Sequence, residues 1–163
     1  MLARSLTSPA WLPASRAALS RRTSLLRATS TSADSTTTMM HPDDQALEVV
    51  NRQLTLYNKR EVDPFMAVFT DDVHVSDAVT GAVIATSKAE LRPRYVTRFS
   101  TPVHCELVAR VALGNVVVDR EIITGLVDGG VAECMATYVV DLQSMLISKI
   151  TFVWRARTFG VSL

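Results

Sequence analysis

Leu47, Val50, Leu54 and Tyr57 recur at spacings of three, four and three, which lays one apolar stripe along a helix. Pro42 at a first helical position, with Asp43, Asp44 and Glu48 near the positive end of the dipole, marks where that helix begins. Asp63-Pro64 repeats the signal, and Phe65, Val68 and Phe69 give a short second helix a face that packs on the first. From Asp71 to Ala78 the period falls to two. Val73, Val75 and Asp77 share one side of a strand, and Asp72, His74 and Ser76 share the other. A turn near Thr80-Gly81 returns the chain through Ala82 to Ala85. Ser87 and Glu90 then form a capping box ahead of Leu91, Tyr95 and Phe99 at helical spacing. Pro93 removes an early intrahelical bond and predicts a kink or a late start for this third helix.

Beyond Val103 the period of two dominates, with strands expected at about 103–113, 115–126, 131–141 and 146–155. Turn signals at Gly114-Asn115, Asp128-Gly129-Gly130 and Gln143-Ser144 separate them. Helices first and an antiparallel meander last predict an α+β arrangement, with the sheet curling around the helices to hide its apolar face. A two-residue turn at Gly114-Asn115 sets Leu113 opposite Val116, Val111 opposite Val118, Arg110 opposite Asp119 and Ala109 opposite Arg120. One face then carries Leu107, Val111, Leu113, Val116, Val118 and Ile122 and reads as core. The other carries the Arg110–Asp119 pair with Glu106 and Glu121 and reads as polar. Arg120 is a cation among apolar neighbours. At the next turn a two-residue loop aligns Met135, Thr137 and Val139 with the core side, and a three-residue loop aligns Cys134, Ala136, Tyr138 and Val140 with it. The second set is the more uniformly apolar.

Composition changes this picture mainly at the N-terminus. Within 163 residues, residues 1–38 hold five arginines, no lysine, eight serines, seven threonines and one acid, Asp34, a net charge of +4. Arg-rich, Ser-rich and acid-poor is the make-up of an organelle transit peptide, and no compact apolar run suggests a secretory signal. Mitochondrial import is the first expectation, a plastid the second, and a cytosolic form started at Met39 or Met40 a third. The other 125 residues hold 12 basic and 15 acidic side chains, so this body is mildly acidic and is not expected to bind nucleic acid. The longest run without a charged residue, Ser5 to Ser15, is 11 residues, against roughly 17–25 for a bilayer-spanning helix, so no membrane span is expected. Cys105 and Cys134 are too few and too far apart for a disulfide framework, and no spacing suggests a metal site.

The order helix, helix, strand pair, helix, long curved sheet resembles the nuclear transport factor 2-like superfamily, in its SnoaL-like and ketosteroid-isomerase-like branch. The segments that carry the resemblance are LYNKREVDPFMAVFTDDVHVSD, RYVTRFSTPVHCEL, GNVVVDREIITG and VAECMATYVV, within roughly residues 45 to 155. It implies a SnoaL-like domain over 41–158, a cone-shaped barrel of curved antiparallel sheet wrapped around three N-terminal helices. It also implies an enclosed apolar pocket, and a homodimer through the outer sheet face, which on this reading offers charged groups and apolar ones such as Ile123.

The resemblance places the general base of a ketosteroid isomerase on Asp77, and strand parity puts Asp77 on the side of Val73 and Val75. The two oxyanion donors fall on Gln53 and Thr137, neither of which is the acidic donor that chemistry uses, and this argues against authentic steroid isomerisation. Two readings of the domain stand: an isomerase or lyase with Asp77 as base and no metal or cofactor, or a non-catalytic binder or dimeric interaction module. In either, a small apolar ligand would meet Tyr57, Phe69, Val75, Phe99, Arg120, Thr137 and Trp154. Arg120 is read either as an anchor for an anionic oxygen or as the neutralising partner of Asp77 or Glu133. Facing an apolar pocket, Asp77 is expected to have a raised pKa unless Arg120 comes close; capping the following turn is its other reading.

Overall fold

Helix α1 (Pro42–Lys59) begins where the proline and acids place it, with His41 as N-cap accepting a bond from the Asp43 amide. Its buried stripe is Ala46, Val50, Gln53 and Tyr57 with Val49, while Leu47 and Leu54 are only half-buried. The helix is therefore rotated about one residue from the most apolar reading, which turns Gln53 inward. The computed structural model describes residues 40–157. The N-terminal leader and its reading as a transit peptide lie outside the described residues.

Helix α2 (Val62–Met66) is one short turn, yet its Phe65 is fully buried at the centre of an aromatic cluster. The Phe65 ring lies 4.4 Å from Tyr95, 5.0 Å from Phe69, 5.2 Å from Phe99 and 5.9 Å from Tyr57, centroid to centroid. Edge contacts of this kind contribute about 0.5–1.5 kcal/mol each beyond area burial, so one residue ties α1 to the segments that carry Phe69 and Tyr95–Phe99. Strand β1 (Phe69–Asp77) turns back into β2 (Val83–Ala85). Helix α3 (Lys88–Phe99) starts at Ser87, whose Oγ accepts from the Glu90 amide, and Glu90 reaches back to the Thr86 amide, one residue beyond the expected box. Pro93 stands inside α3, which starts at Lys88 and not late.

The remaining chain is β3 (His104–Leu113), β4 (Val116–Thr124), β5 (Val131–Asp141) and β6 (Leu146–Arg157), with a short 3-10 turn at Val127–Gly129. The six strands form one curved, unclosed sheet in the order β2-β1-β6-β5-β4-β3. All neighbours are antiparallel except β1 and β6, which are parallel. That long-range pairing has no local signal. With its helices the sheet is the α+β arrangement expected.

The β3–β4 register is the expected one, Leu113 opposite Val116 and Arg110 opposite Asp119. The faces are the reverse of those expected. Val117, Asp119, Glu121 and Ile123 point inward and are buried, while Val111 and Leu113 are 66% and 82% exposed. Two features defeat the alternation. An irregularity between Leu107 and Ala109 shifts the parity of β3, so Leu107 and Val111 do not share a face. The inward face of β4 also carries two carboxylates, compensated by neighbours and not by water. Across the next turn Val118 pairs with Thr137 and Arg120 with Met135, the register of the two-residue alternative. Because that face is the outer one, the buried residues of β5 are Cys134, Ala136, Tyr138 and Val140. Gly125 ends β4 with φ 67°, and a Cβ there would fall 2.3 Å from the Pro102 oxygen, so the backbones meet where only glycine fits.

Candidate functional site

Between α1, α3 and the inner sheet face lies a cavity of about 220 Å³. Helix α1 contributes Gln53, Leu54 and Tyr57, and α3 contributes Leu91, Arg94, Tyr95 and Arg98. The sheet supplies Val75, Ile84, Cys105, Glu121, Ile123, Tyr138, Phe152 and Trp154. Besides Arg94 on α3, the largely apolar wall carries three polar groupings.

Glu121 is the first. It is buried at 4% exposure, and its Oε1 accepts a 3.1 Å hydrogen bond from the Tyr138 hydroxyl. Burial, reinforced by the charge of Asp119, pushes its pKa up to about 7, against hydrogen bonds from Tyr138 and Cys105 and the attraction of Arg110. Asp119 beside it is clamped by Arg110 with two bonds, Nε to Oδ1 at 2.6 Å and Nη2 to Oδ2 at 2.5 Å. The second grouping is Tyr57 and Arg98. Burial drives Tyr57 up to about 12 against the pull of the Arg98 guanidinium, which also stacks on Trp154 at 5.6 Å from the ring centroid. The Tyr57 hydroxyl is buried without a hydrogen bond of good geometry. The third is Gln53, whose Oε1 is likewise buried and unpartnered. Gln53 Oε1 and the Tyr57 hydroxyl are thus buried polar atoms one turn apart on α1, and leaving such an atom unsatisfied costs about 1–3 kcal/mol.

Of the residues expected at the site, Tyr57, Val75 and Trp154 line the cavity. Phe69 is buried in the aromatic core, and Phe99 packs on Tyr57 at 5.3 Å, but neither is part of the cavity wall. Thr137 and Arg120 are on the opposite face. Arg120 is exposed and pairs with Glu133, which also holds Arg155, so its neutralising reading is the one the structure supports. Ile123, read as an outer-face residue, lines the cavity.

Asp77 requires the larger correction. It is not part of the cavity wall, and its Oδ1 accepts bonds from the Thr80 amide, the Thr80 hydroxyl and the Val79 amide. Those bonds, Thr80's foremost, hold its carboxyl below the ordinary aspartate value, the reverse of the expected rise. It caps the β1–β2 turn. Glu121, read from strand parity as part of a polar face, lines the cavity, and the available signal was its pairing with Cys134 on β5: a carboxylate between two hydrophobic strands implies an interior partner.

This curved sheet over three helices, with a cavity between, is the cystatin-like, nuclear transport factor 2-like fold. The chain belongs to the SnoaL-like domain family, whose model matches residues 50–149. A candidate ketosteroid isomerase from Kribbella flavida superposes with a TM-score of 0.63 at 17% identity, covering 76% of this chain and 87% of that one. The Δ5-3-ketosteroid isomerase of Mycobacterium sp. gives 0.57 at 18%, covering 68% and 93%. The epoxide hydrolase/cyclase-like enzyme SalBIII, of pyran ring formation in polyether salinomycin, gives 0.61 at 17%, covering 70% and 94%. None of the curated proteins compared with the chain matches it by sequence. Among the described residues no helix is long and apolar enough to cross a membrane, and no three His, Cys, Asp or Glu side chains cluster to hold a metal.

Proposed function

We propose that the cavity takes a small, largely apolar carbonyl compound and that Glu121 moves a proton on it, an isomerase- or lyase-type reaction needing no cofactor. The observation that carries this reading is a buried carboxylate with a pKa of about 7 facing a cavity that also holds the Tyr57 hydroxyl beside the Arg98 guanidinium. A base is most effective when its pKa lies near the working pH. Glu121 takes the proton from carbon beside the carbonyl, the C–H electron pair passes into the enolate, and the charge gathers on oxygen. Tyr57 donates to that oxygen. Return of the proton to a second carbon gives an isomer, and expulsion of a β-substituent gives elimination. Similarity to the ketosteroid isomerase and to the cyclase-like enzyme supports this class of chemistry without fixing the substrate.

The other reading, a binding or dimeric interaction module without turnover, draws on the engagement of Asp77 in its turn. Proton NMR in D2O separates the two. With 1-indanone and 3-cyclohexen-1-one as probes, the catalytic reading expects α-proton exchange above buffer background, lost in Glu121→Gln. Binding of both ketones with no exchange would establish the binding module. Two further readings complete the proposal: copies pair through the outer sheet face, and residues 1–38 address the protein to mitochondria.

A further inference from the structure

We propose that the natural ligand is an anion: a small carboxylic acid whose apolar body fills the cavity while its carboxylate rests on Arg98 and Arg94 at the mouth. This rests on the reading of the cavity as a small-molecule site and narrows the class of molecule it takes.

Arg94 and Arg98 stand one helical turn apart on α3, so both guanidinium groups leave the helix on the same side. They line the cavity, and they also line a shallow groove on its outside, together with Pro93, Leu126 and Val127. They therefore stand where interior and surface meet. Neither has an acidic partner among the described residues, although Lys88, Arg92, Arg110, Arg120 and Arg155 each pair with a carboxylate. Arg98 is half-buried, with one side against the Trp154 ring and Tyr57 beside it. A guanidinium has five donors in a fixed fork suited to two carboxylate oxygens, so contact with Tyr57 leaves most of them free. A partly desolvated cation without a counter-charge is an unfavourable arrangement that an anionic ligand relieves. Among the described residues the one carboxylate of the cavity wall, Glu121, is already held by Tyr138 and Cys105, so the two ends of the site differ: cationic at the mouth, acid–base inside.

Titration calorimetry on the full chain tests this with a matched pair of probes, 2-naphthylacetate and its neutral analogue 2-naphthylacetamide. The expected result is at least tenfold tighter binding of the acid, reduced to parity in Arg98→Gln, retained in Arg98→Lys and weakened by added salt, with amide affinity the same in all three proteins. Equal affinity for acid and amide in the unaltered chain would overturn the anionic ligand while leaving the small-molecule cavity standing. A loss of both probes together in Arg98→Gln, unrescued by Arg98→Lys, would also overturn it, since Arg98 would then be structural. Failure of both probes to bind the unaltered chain would sink the small-molecule reading, and this one with it.

Discussion

Tyr138 and Glu121 face each other across the interior of the sheet, the tyrosine hydroxyl donating to a carboxylate oxygen at 3.1 Å. The bond favours the ionised form, and burial of Glu121 opposes it more strongly, leaving the pKa at about 7. Between pH 4.5 and 7 the unfolded chain releases this proton and the folded chain keeps it, so stability falls as pH rises through that window and levels off above it. The ceiling of the effect is about 3 kcal/mol. Urea denaturation of Glu121→Gln against the unaltered chain should show the variant gaining stability steadily from pH 5 to pH 7. A constant difference across that range would contradict the assignment. Tyr138→Phe removes a bond to the charged form and should move the midpoint upward.

Arg110 and Asp119 form the other interior pair, and here both partners are committed, with Arg110 also bonded to Asn51 of α1. Arg110→Ala leaves a fully buried carboxylate uncompensated, for which a loss of roughly 3–5 kcal/mol is expected. Replacing both residues, Arg110→Met with Asp119→Leu, should recover most of it. Chemical denaturation of the two proteins measures the difference, and a mild effect of the single substitution would show that water reaches Asp119.

These two pairs explain what the sequence made legible. The elements came from periodicity and capping because those signals are local: Pro42, Ser87 and the hairpin at Gly114-Asn115 each act within a few residues. The branch of the fold was legible in the order of those elements. The site was not, because alternation assumes that the buried face is the apolar one. On β4 the buried face carries Asp119 and Glu121, and the solvent face carries Val116 and Val118. Arg110, Tyr138 and Cys105, which make that inversion tolerable, come from neighbouring strands and are visible only once the sheet is assembled. Asp77 misled for the complementary reason, since its turn contacts with Val79 and Thr80 lie outside strand parity.

The outer face exposes Val111, Leu113, Met135 and Val153, with Met135 and Val153 directly paired. Sedimentation equilibrium at roughly 50 μM should find a dimer, a concentration that reveals affinities of about −6 kcal/mol or better. Met135→Asp should shift it to monomer without altering the fold by circular dichroism. Monomer in the unaltered chain would remove the pairing proposal.

The leader is tested separately. Residues 1–38 fused to a fluorescent protein should carry it into mitochondria of eukaryotic cells, and replacing the five arginines by glutamine should leave it in the cytosol. Cytosolic or plastid fluorescence from the unaltered leader would exclude mitochondrial import.

If the interior carboxylate Glu121, and not Asp77, moves the proton, it is the pH dependence of α-proton exchange on 1-indanone in D2O that reveals it, measured for the unaltered chain, Asp77→Asn and Glu121→Gln. The rate should rise with pH, half-maximal near 7, be kept in Asp77→Asn and be abolished in Glu121→Gln. Loss of exchange in Asp77→Asn with full exchange in Glu121→Gln would contradict it.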